Sequence, residues 1–515
     1  MARRTPRSPR VVLDGRRLTL AQLEQLASGV ACDLAPAARR AIRAGRRVVE
    51  RALASGATVY GINTGFGQLA QVRVPAERLA ELQLNLVRSH AAGTGAALEE
   101  RVVRAVLALR ANCLARGHSG VRLVTVERLL DLLRAGVLPV LPEHGSVGAS
   151  GDLAPLAHLA LVLVGEGEAS WRGRRVPGGR ALRAAGLSPL VLEPKEGIAL
   201  INGTQVMTAI GALALVEAER LASVADIVGA MTVEALRGSH RPFEARVHDA
   251  RPQAGQRRAA ANARRLLRAS AIEASHADCG RVQDAYSLRC LPQVHGAVRD
   301  ALVYVRRVLA IELNATTDNP MVFAASGDLV SQGNFHGHPV SVALDHLGTA
   351  TCSLATIAER RIERLLNPEL SGLPAFLAHD PGLHSGFMLA HVTAAALVSE
   401  NKLLAHPASV DTIPTSAAKE DHVSMGVHAA RKAARIVDHV TSVLAIELLC
   451  AAQALDLLRP LTGGVGVEAA RRSVRRRIAH LDRDRVLATD IETARRIVRD
   501  GTLRRDVERA CGRLD

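Results

Sequence analysis

The sequence predicts a mainly α protein, a large helical bundle with a smaller N-terminal region of helices and a little strand. Three observations predict it. Apolar residues recur at helical spacing over most of the chain. Long segments in the second half carry one apolar face or are apolar all round. No regular alternation of strand and helix patterns appears of the kind that builds a parallel sheet.

In chain order, residues 1–10 form a basic arm. It lacks an apolar segment, and Pro6 and Pro9 oppose an amphipathic helix, so no secretory or transit signal is expected. Residues 11–120 form an N-terminal region. Val11 to Leu13 reads as a short strand before an Asp14-Gly15 turn, and Leu20 to Leu109 reads as helix broken by Gly61 to Gly67. Residues 121–460 form the central bundle. Leu123 to Leu133 is helix, Pro139, Pro142 and Gly145 interrupt it, and helix resumes at Asp152. A small strand pair is expected around Trp171 to Val176. Leu354, Ala358, Ile362 and Leu365 share one face of a helix stopped by Asn367-Pro368, and Ile436 to Leu458 reads as the bundle's central helix, ended by Pro460. Residues 461–515 supply C-terminal helices.

With 515 residues, 48% of them hydrophobic, the chain can bury a large core. The net charge of +16 comes almost wholly from arginine, since only four lysines occur. The densest run, Arg471 to Arg477, alternates with apolar Val474 and Ile478, as a solvated helix face does. Aromatics are 2% of the chain, too few to stack on bases, so no nucleic-acid partner is expected. The longest apolar stretch, Leu153 to Val164, is too short to span a bilayer, so a cytoplasmic protein without a membrane partner is expected. Seven cysteines with no CxxC pair indicate neither a disulfide framework nor a zinc site.

The stretch from His144 to His158 is the most informative. Small residues at 148 to 151 let the backbone fold tightly onto itself. Attack of the Gly151 nitrogen on the Ala149 carbonyl closes a five-membered ring. Loss of water there and from Ser150 leaves an exocyclic methylene conjugated to the ring carbonyl. A helix starting near Asp152 puts its positive end beside that electrophile. Taken alone, the same residues also read as a Gly/Ser loop with Asp152 as helix N-cap.

Other stretches gather chemistry-bearing residues. Tyr60, one of only three tyrosines, opens a Gly-rich run to Ala70. Within it, Gly65 to Ala70 mimics a dinucleotide fingerprint, but Gln71 to Pro75 follows where a helix is required. His90 lies in Asn85 to Gly95, and Asn202 and Gln205 lie in a tight turn from Ile201 to Val206. Gln283, Tyr286 and Arg289 are spaced i, i+3 and i+6, which a loop or broken helix brings together more easily than a regular one. Phe335 falls between Gly333 and Pro339, and Glu420 between Pro414 and Met425. Each of these, alone, is explained by ordinary packing or solvation.

Together these stretches, from about Leu18 to about Ile497, resemble the aromatic amino-acid ammonia-lyases. The resemblance implies a mostly helical bundle of the aspartase/fumarase-like type, and a homotetramer whose active sites are shared between subunits. It implies that Ala149, Ser150 and Gly151 form a methylidene-imidazolone (MIO), with Tyr60 as general base and Tyr286 close to the MIO. Asn202 and Arg289 would hold the substrate carboxylate, Gln283 would line the site, and Phe335 would lie against the substrate ring. His90 and Glu420 would seat an imidazole, which points to L-histidine as substrate and to trans-urocanate and ammonia as products. The alternative is a tyrosine or phenylalanine ammonia-lyase, or an aminomutase, of the same family. Two departures stand beside this. Lys419, next to Glu420, replaces a neutral residue and is placed to pair with it, and His338 stands where an acid or amide is common. No pyridoxal or nicotinamide signature is visible, and His336, His338 and His422 lack an HExxH-type metal spacing, so no PLP, NAD or metal is expected.

Overall fold

Local signals set the helix ends. Thr19 caps Leu20–Ala27 in a reciprocal box with Gln22, and Pro36 opens Pro36–Ala54 with its fixed φ. Asn367 caps the turn that follows His338–Leu366. The computed structural model describes residues 10–56, 58–65 and 71–515. The basic arm at 1–9 and the end of the Gly-rich run, 66–70, lie outside the described residues.

Among the described residues there are twenty-one α-helices, three short 3-10 helices and nine short strands. The strand at Arg10–Leu13 is present and pairs in parallel with Ala31–Leu34. The latter, and Thr94–Ala97, interrupt a stretch that reads as helix throughout by periodicity. Each is four residues long, too short to disturb a helical pattern counted over several turns. Glu168–Trp171 and Arg174–Pro177 form the expected antiparallel pair.

The chain divides into two compact units, each assembled from three stretches. The first comprises Met1–Leu213, Arg306–Asp345 and Pro407–Arg431. Its centre is the helix Glu100–Ala115, buried along nearly its whole length from Val103. The second comprises Ala214–Val305, His346–His406 and Lys432–Asp515. In it the helix Gly426–Leu457, from Lys432 on, supplies a run of buried residues from Val440 to Ala454, as its all-round apolar sequence predicts. This helix is long and apolar enough to cross a membrane, but 89% of its most apolar window is buried inside the protein. Its one acid in that run, Glu447, is paired bidentately with the equally buried Arg361 at 2.5 and 2.9 Å, and also accepts from the Thr232 hydroxyl. Four of the five boundaries between the units fall inside long helices; the fifth, at 406/407, follows the helix Met388–Leu404.

Candidate active site

The segment 148–152 is held by its own glycines. Gly148 and Gly151 both have φ +71°. A Cβ at Gly151 would stand 2.2 Å from the Gly203 carbonyl oxygen, and one at Gly148 the same distance from Ser424 Oγ, so both positions require glycine. Gly151 pairs alongside Gly203 as a parallel bridge, and the Asp152 N–H donates to the Gly203 carbonyl at 2.7 Å.

Asp152 precedes the helix Leu153–Leu163 but its side chain does not cap it. The fully buried carboxyl instead accepts from the N–H groups of Val206 (2.7 Å) and Met207 (3.0 Å), at the start of the helix Gln205–Ala235. Ser146 Oγ donates to its other oxygen at 3.2 Å. The capping role read from the sequence is therefore exercised on a different helix, because the close approach of Gly151 to Gly203 brings that helix's free amides within reach. Burial pushes the Asp152 carboxyl up to about 7, against the pull of those amides.

Three loops of the first unit meet at this segment. The Gly148 carbonyl accepts from Ser424 Oγ at 2.9 Å and from the Gly337 N–H at 3.4 Å. Met425 N–H donates to the Val147 carbonyl at 2.8 Å, and Ala149 packs in a small apolar cluster with Val423 and Met425. Ser150 is half-buried between them. Its hydroxyl donates to Glu420 Oε1 at 2.9 Å, while Thr415 Oγ1 donates to Glu420 Oε2 at 2.7 Å. Lys419 is exposed, and these two hydroxyls hold the Glu420 carboxylate.

Asn202 ends the short helix Glu196–Ile201 and is 3% exposed. Oriented so that both ends of its amide are paired, it donates to the Ser150 carbonyl at 2.8 Å and accepts from the Asn319 N–H at 3.0 Å. Its own carbonyl accepts from Arg110 at 2.9 Å. Arg110, fully buried, also donates to Ala199 O and to Gln205 Oε1, and Gln205 in turn donates to Thr317. Gln205 thus serves as a brace behind the turn. Arg110 escaped the sequence reading; the signal available was the one arginine inside the mostly apolar run Ala105 to Leu114.

His90 is the last residue of the helix Leu79–His90. Its Nδ1 lies 2.9 Å from the Leu86 carbonyl, which only accepts, so Nδ1 carries the proton and Nε2 is left as an acceptor. Burial pushes this imidazole below its ordinary range, and the charge of Glu420 opposes the shift. Just beyond, the Gly93 N–H donates to His158 Nε2 at 3.1 Å. Tyr60 is half-buried in a turn whose next residue, Gly61, presents its α-carbon to Pro320 and Ile198, one residue from Asn319. Phe335 is half-buried in the loop that ends at Gly337.

Ser150, Asn202, Glu420 and His90 are thus gathered within the first unit. Gln283, Tyr286 and Arg289 form a cluster of their own in the second. The four-residue helix Tyr286–Arg289 follows an irregular stretch, as the awkward i, i+3, i+6 spacing anticipates. The Arg289 guanidinium lies 4.6 Å from the centre of the Tyr286 ring and donates to Gln283 Oε1 at 2.8 Å. Tyr286 itself is 70% exposed. Among the described residues, no group of three or more His, Cys, Asp or Glu side chains is placed to hold a metal ion.

The arrangement has relatives. The sequence model for aromatic amino acid lyases matches residues 18–476. A histidine ammonia-lyase of Anaeromyxobacter dehalogenans is 58% identical over 503 residues, covering 96% of this chain and 99% of that protein. The crystal structure of histidine ammonia-lyase from Trypanosoma cruzi superposes with a TM-score of 0.91 at 46% identity, over 98% of this chain and 96% of that one. The tyrosine aminomutase of Streptomyces globisporus superposes with a TM-score of 0.93 at 40% identity, over 98% and 100% of the two chains.

Proposed function

The chain belongs to the aromatic amino acid lyase family, and from that premise we propose that it deaminates L-histidine without oxidation, giving trans-urocanate and ammonia. One observation carries the choice of chemistry: Ser150 is held at both ends, its hydroxyl by Glu420 and its carbonyl by Asn202.

Ala149, Ser150 and Gly151 fit the MIO that this family builds from itself. Gly151 has the left-handed backbone and lacks room for a side chain, the Ser150 hydroxyl has an acceptor, and a helix begins at Leu153 with its positive end toward the segment. Once formed, the MIO supplies an electrophile and electron sink, which an α-amino acid with a poor leaving group needs. Loss of the Ser150 hydroxyl frees Glu420 Oε1 to accept an imidazole N–H of the substrate. Burial disfavours a charge on His90, whose imidazole flanks the same ring. Asn202 has a second amide hydrogen beyond the one given to Ser150, and it serves the substrate carboxylate. Tyr60 removes the β proton, and Phe335 flanks the ring.

Arg289 holds the carboxylate by its planar fork, with Gln283 and Tyr286 beside it. These three stand on an exposed stretch of the second unit, which suits a cytoplasmic homotetramer whose sites are completed by a second copy. A tyrosine-directed aminomutase is the reading that the Streptomyces likeness favours; the acid at Glu420 favours histidine over it.

The test is product formation by the purified protein from L-histidine, L-tyrosine and L-phenylalanine, with Ser150→Ala as control. Urocanate from histidine, lost in the variant, is expected. A hydroxycinnamate, a cinnamate or a β-amino acid in its place overturns the substrate, and turnover undiminished in Ser150→Ala overturns the chemistry.

A further inference from the structure

His336 sits between two of the loops that meet at Gly148, and its two nitrogens are both engaged. Nε2 lies 3.0 Å from the carbonyl of His422, which only accepts, so Nε2 is the donor. Nδ1 is then the acceptor, and the His338 N–H points to it at 3.4 Å. The ring is anchored on its own side. Its backbone N–H donates to the Gly333 carbonyl, and the next residue's to the Gly148 carbonyl. The rings of His336, His338 and His422 lie 5.6 to 6.1 Å apart by centroid. With both nitrogens of His336 committed to the backbone, the trio is a structural tie and not a ligand set.

The peptide it grips is two residues from Glu420. That loop closes on itself through the Thr415–Glu420 backbone pair and through Val423 N–H to Thr412 Oγ1. Ser416, Ala417 and Ala418, at its turn, all have left-handed φ. Such a loop holds its shape, but its placement against residues 148–151 depends on what grips it from outside. Ser424 and Met425 do so on one side, at Gly148 and Val147. His336 does so at His422, between those grips and Glu420.

We infer that His336 is a positioning residue that sets Glu420 against Ser150 by holding the His422 peptide. This deepens the proposed function and rests on it for the part Glu420 plays toward substrate. His336 touches no reacting atom in this scheme; it acts through Glu420. It borders an open cleft of about 850 Å³ with Arg116, Asn334 and Pro339, so a ring of similar size is accommodated at this position.

Two variants and two readouts test it. His336→Phe removes the donor, and His336→Gln restores an N–H at similar reach. The first readout, hydrogen–deuterium exchange over residues 415–425, needs no substrate. Exchange is expected to rise in His336→Phe and to return to the wild-type rate in His336→Gln. The second is kcat/KM with L-histidine. A lost hydrogen bond of ordinary strength lowers it about tenfold in His336→Phe, with recovery in His336→Gln. In a Glu420→Gln background the same substitution is expected to add little, since both act through one group. Unchanged exchange in His336→Phe, equal losses in the two variants, or independent losses with Glu420→Gln overturn the inference. A wild-type protein inactive on histidine defeats the proposed substrate, while the exchange experiment still decides the tie.

Discussion

Asp152 stands between the Ser150 segment and the start of the helix Gln205–Ala235, and its substitution separates two forces that the structure sets against each other. Asp152→Ala leaves the buried amides of Val206 and Met207 without an acceptor. Each orphaned donor costs about 1–3 kcal/mol, so the loss is about 2–6 kcal/mol. Unfolding entropy is about 2.1 cal/mol/K per residue, so for a chain of this length the melting temperature falls by about 2–6 °C. Asp152→Asn behaves differently. Its oxygen keeps both amides, and its NH2 turns to Ser146 Oγ. Burial pushes the wild-type carboxyl up to about 7 from an ordinary value of 3.8. The unfolded chain therefore ionises first, and wild-type stability falls as pH rises between those two values and levels off above about 7. Three pKa steps at about 1.4 kcal/mol bound this fall at about 4 kcal/mol. Asparagine has no proton to lose and escapes it. In calorimetric melts at one scan rate, Asp152→Asn is expected to match the wild type near pH 4, where Asp152→Ala falls below both, and to exceed the wild type at about pH 8. Equal losses in the two variants at the higher pH would refute this reasoning: the ionised carboxylate, and not the pattern of acceptors, would then be holding the helix start.

Two further predictions concern the frame around the site. Burial holds the His158 imidazole below its ordinary value of 6.5, and its Nε2 must stay unprotonated to accept from Gly93. Below pH 6.5 the unfolded chain binds the proton first, so stability is lost as pH falls. The melting-temperature difference between wild type and His158→Gln is expected to hold steady above that pH and to shrink below it. In the second unit, Glu447→Gln strands the fully buried Arg361 and costs about 3–5 kcal/mol. The pair Glu447→Leu with Arg361→Met recovers most of it, read by the same melts.

Periodicity made the helices legible because each buries one face over many turns. The long helices at His338–Leu366 and Gly426–Leu457 follow the apolar patterns around Leu354 and Ile436. Proline marked their ends. Ala31–Leu34 was not legible, because four residues satisfy a strand ladder without breaking a helical count. The two units, each drawn from three stretches, have four of their five boundaries inside helices, where composition does not change. At the site, Ser150 and Gly151 were legible only through the resemblance of the stretches around them, since Ala-Ser-Gly alone reads as an ordinary loop before a helix. Asp152 was visible as a capping residue, but the identity of the helix it caps depends on Gly151 meeting Gly203, a contact across 52 residues of chain that no local pattern encodes. Thr415 and Ser424 carry no signal at all, since hydroxyls in loops are common and only their three-dimensional neighbours make them supports.

The arginine excess, which in the sequence alone suggests an outward role, has an inward one at the site. Arg110 is fully buried and spends its guanidinium on Asn202 O, Ala199 O and Gln205 Oε1. Two of these acceptors are carbonyls at the end of the helix Glu196–Ile201, where the chain has no amides of its own to offer them. A planar group with several donors in fixed directions meets such a helix end and a neighbouring amide at once, whereas an ammonium of the same charge meets them as a point. Asn202 inherits its position from this bracing, and Ser150 inherits from Asn202 the hydrogen bond to its carbonyl. The order of dependence thus runs from a buried cation, through a helix terminus, to the residue on which the chemistry turns. Part of the charge that counts toward +16 is for this reason unavailable to any partner in solution.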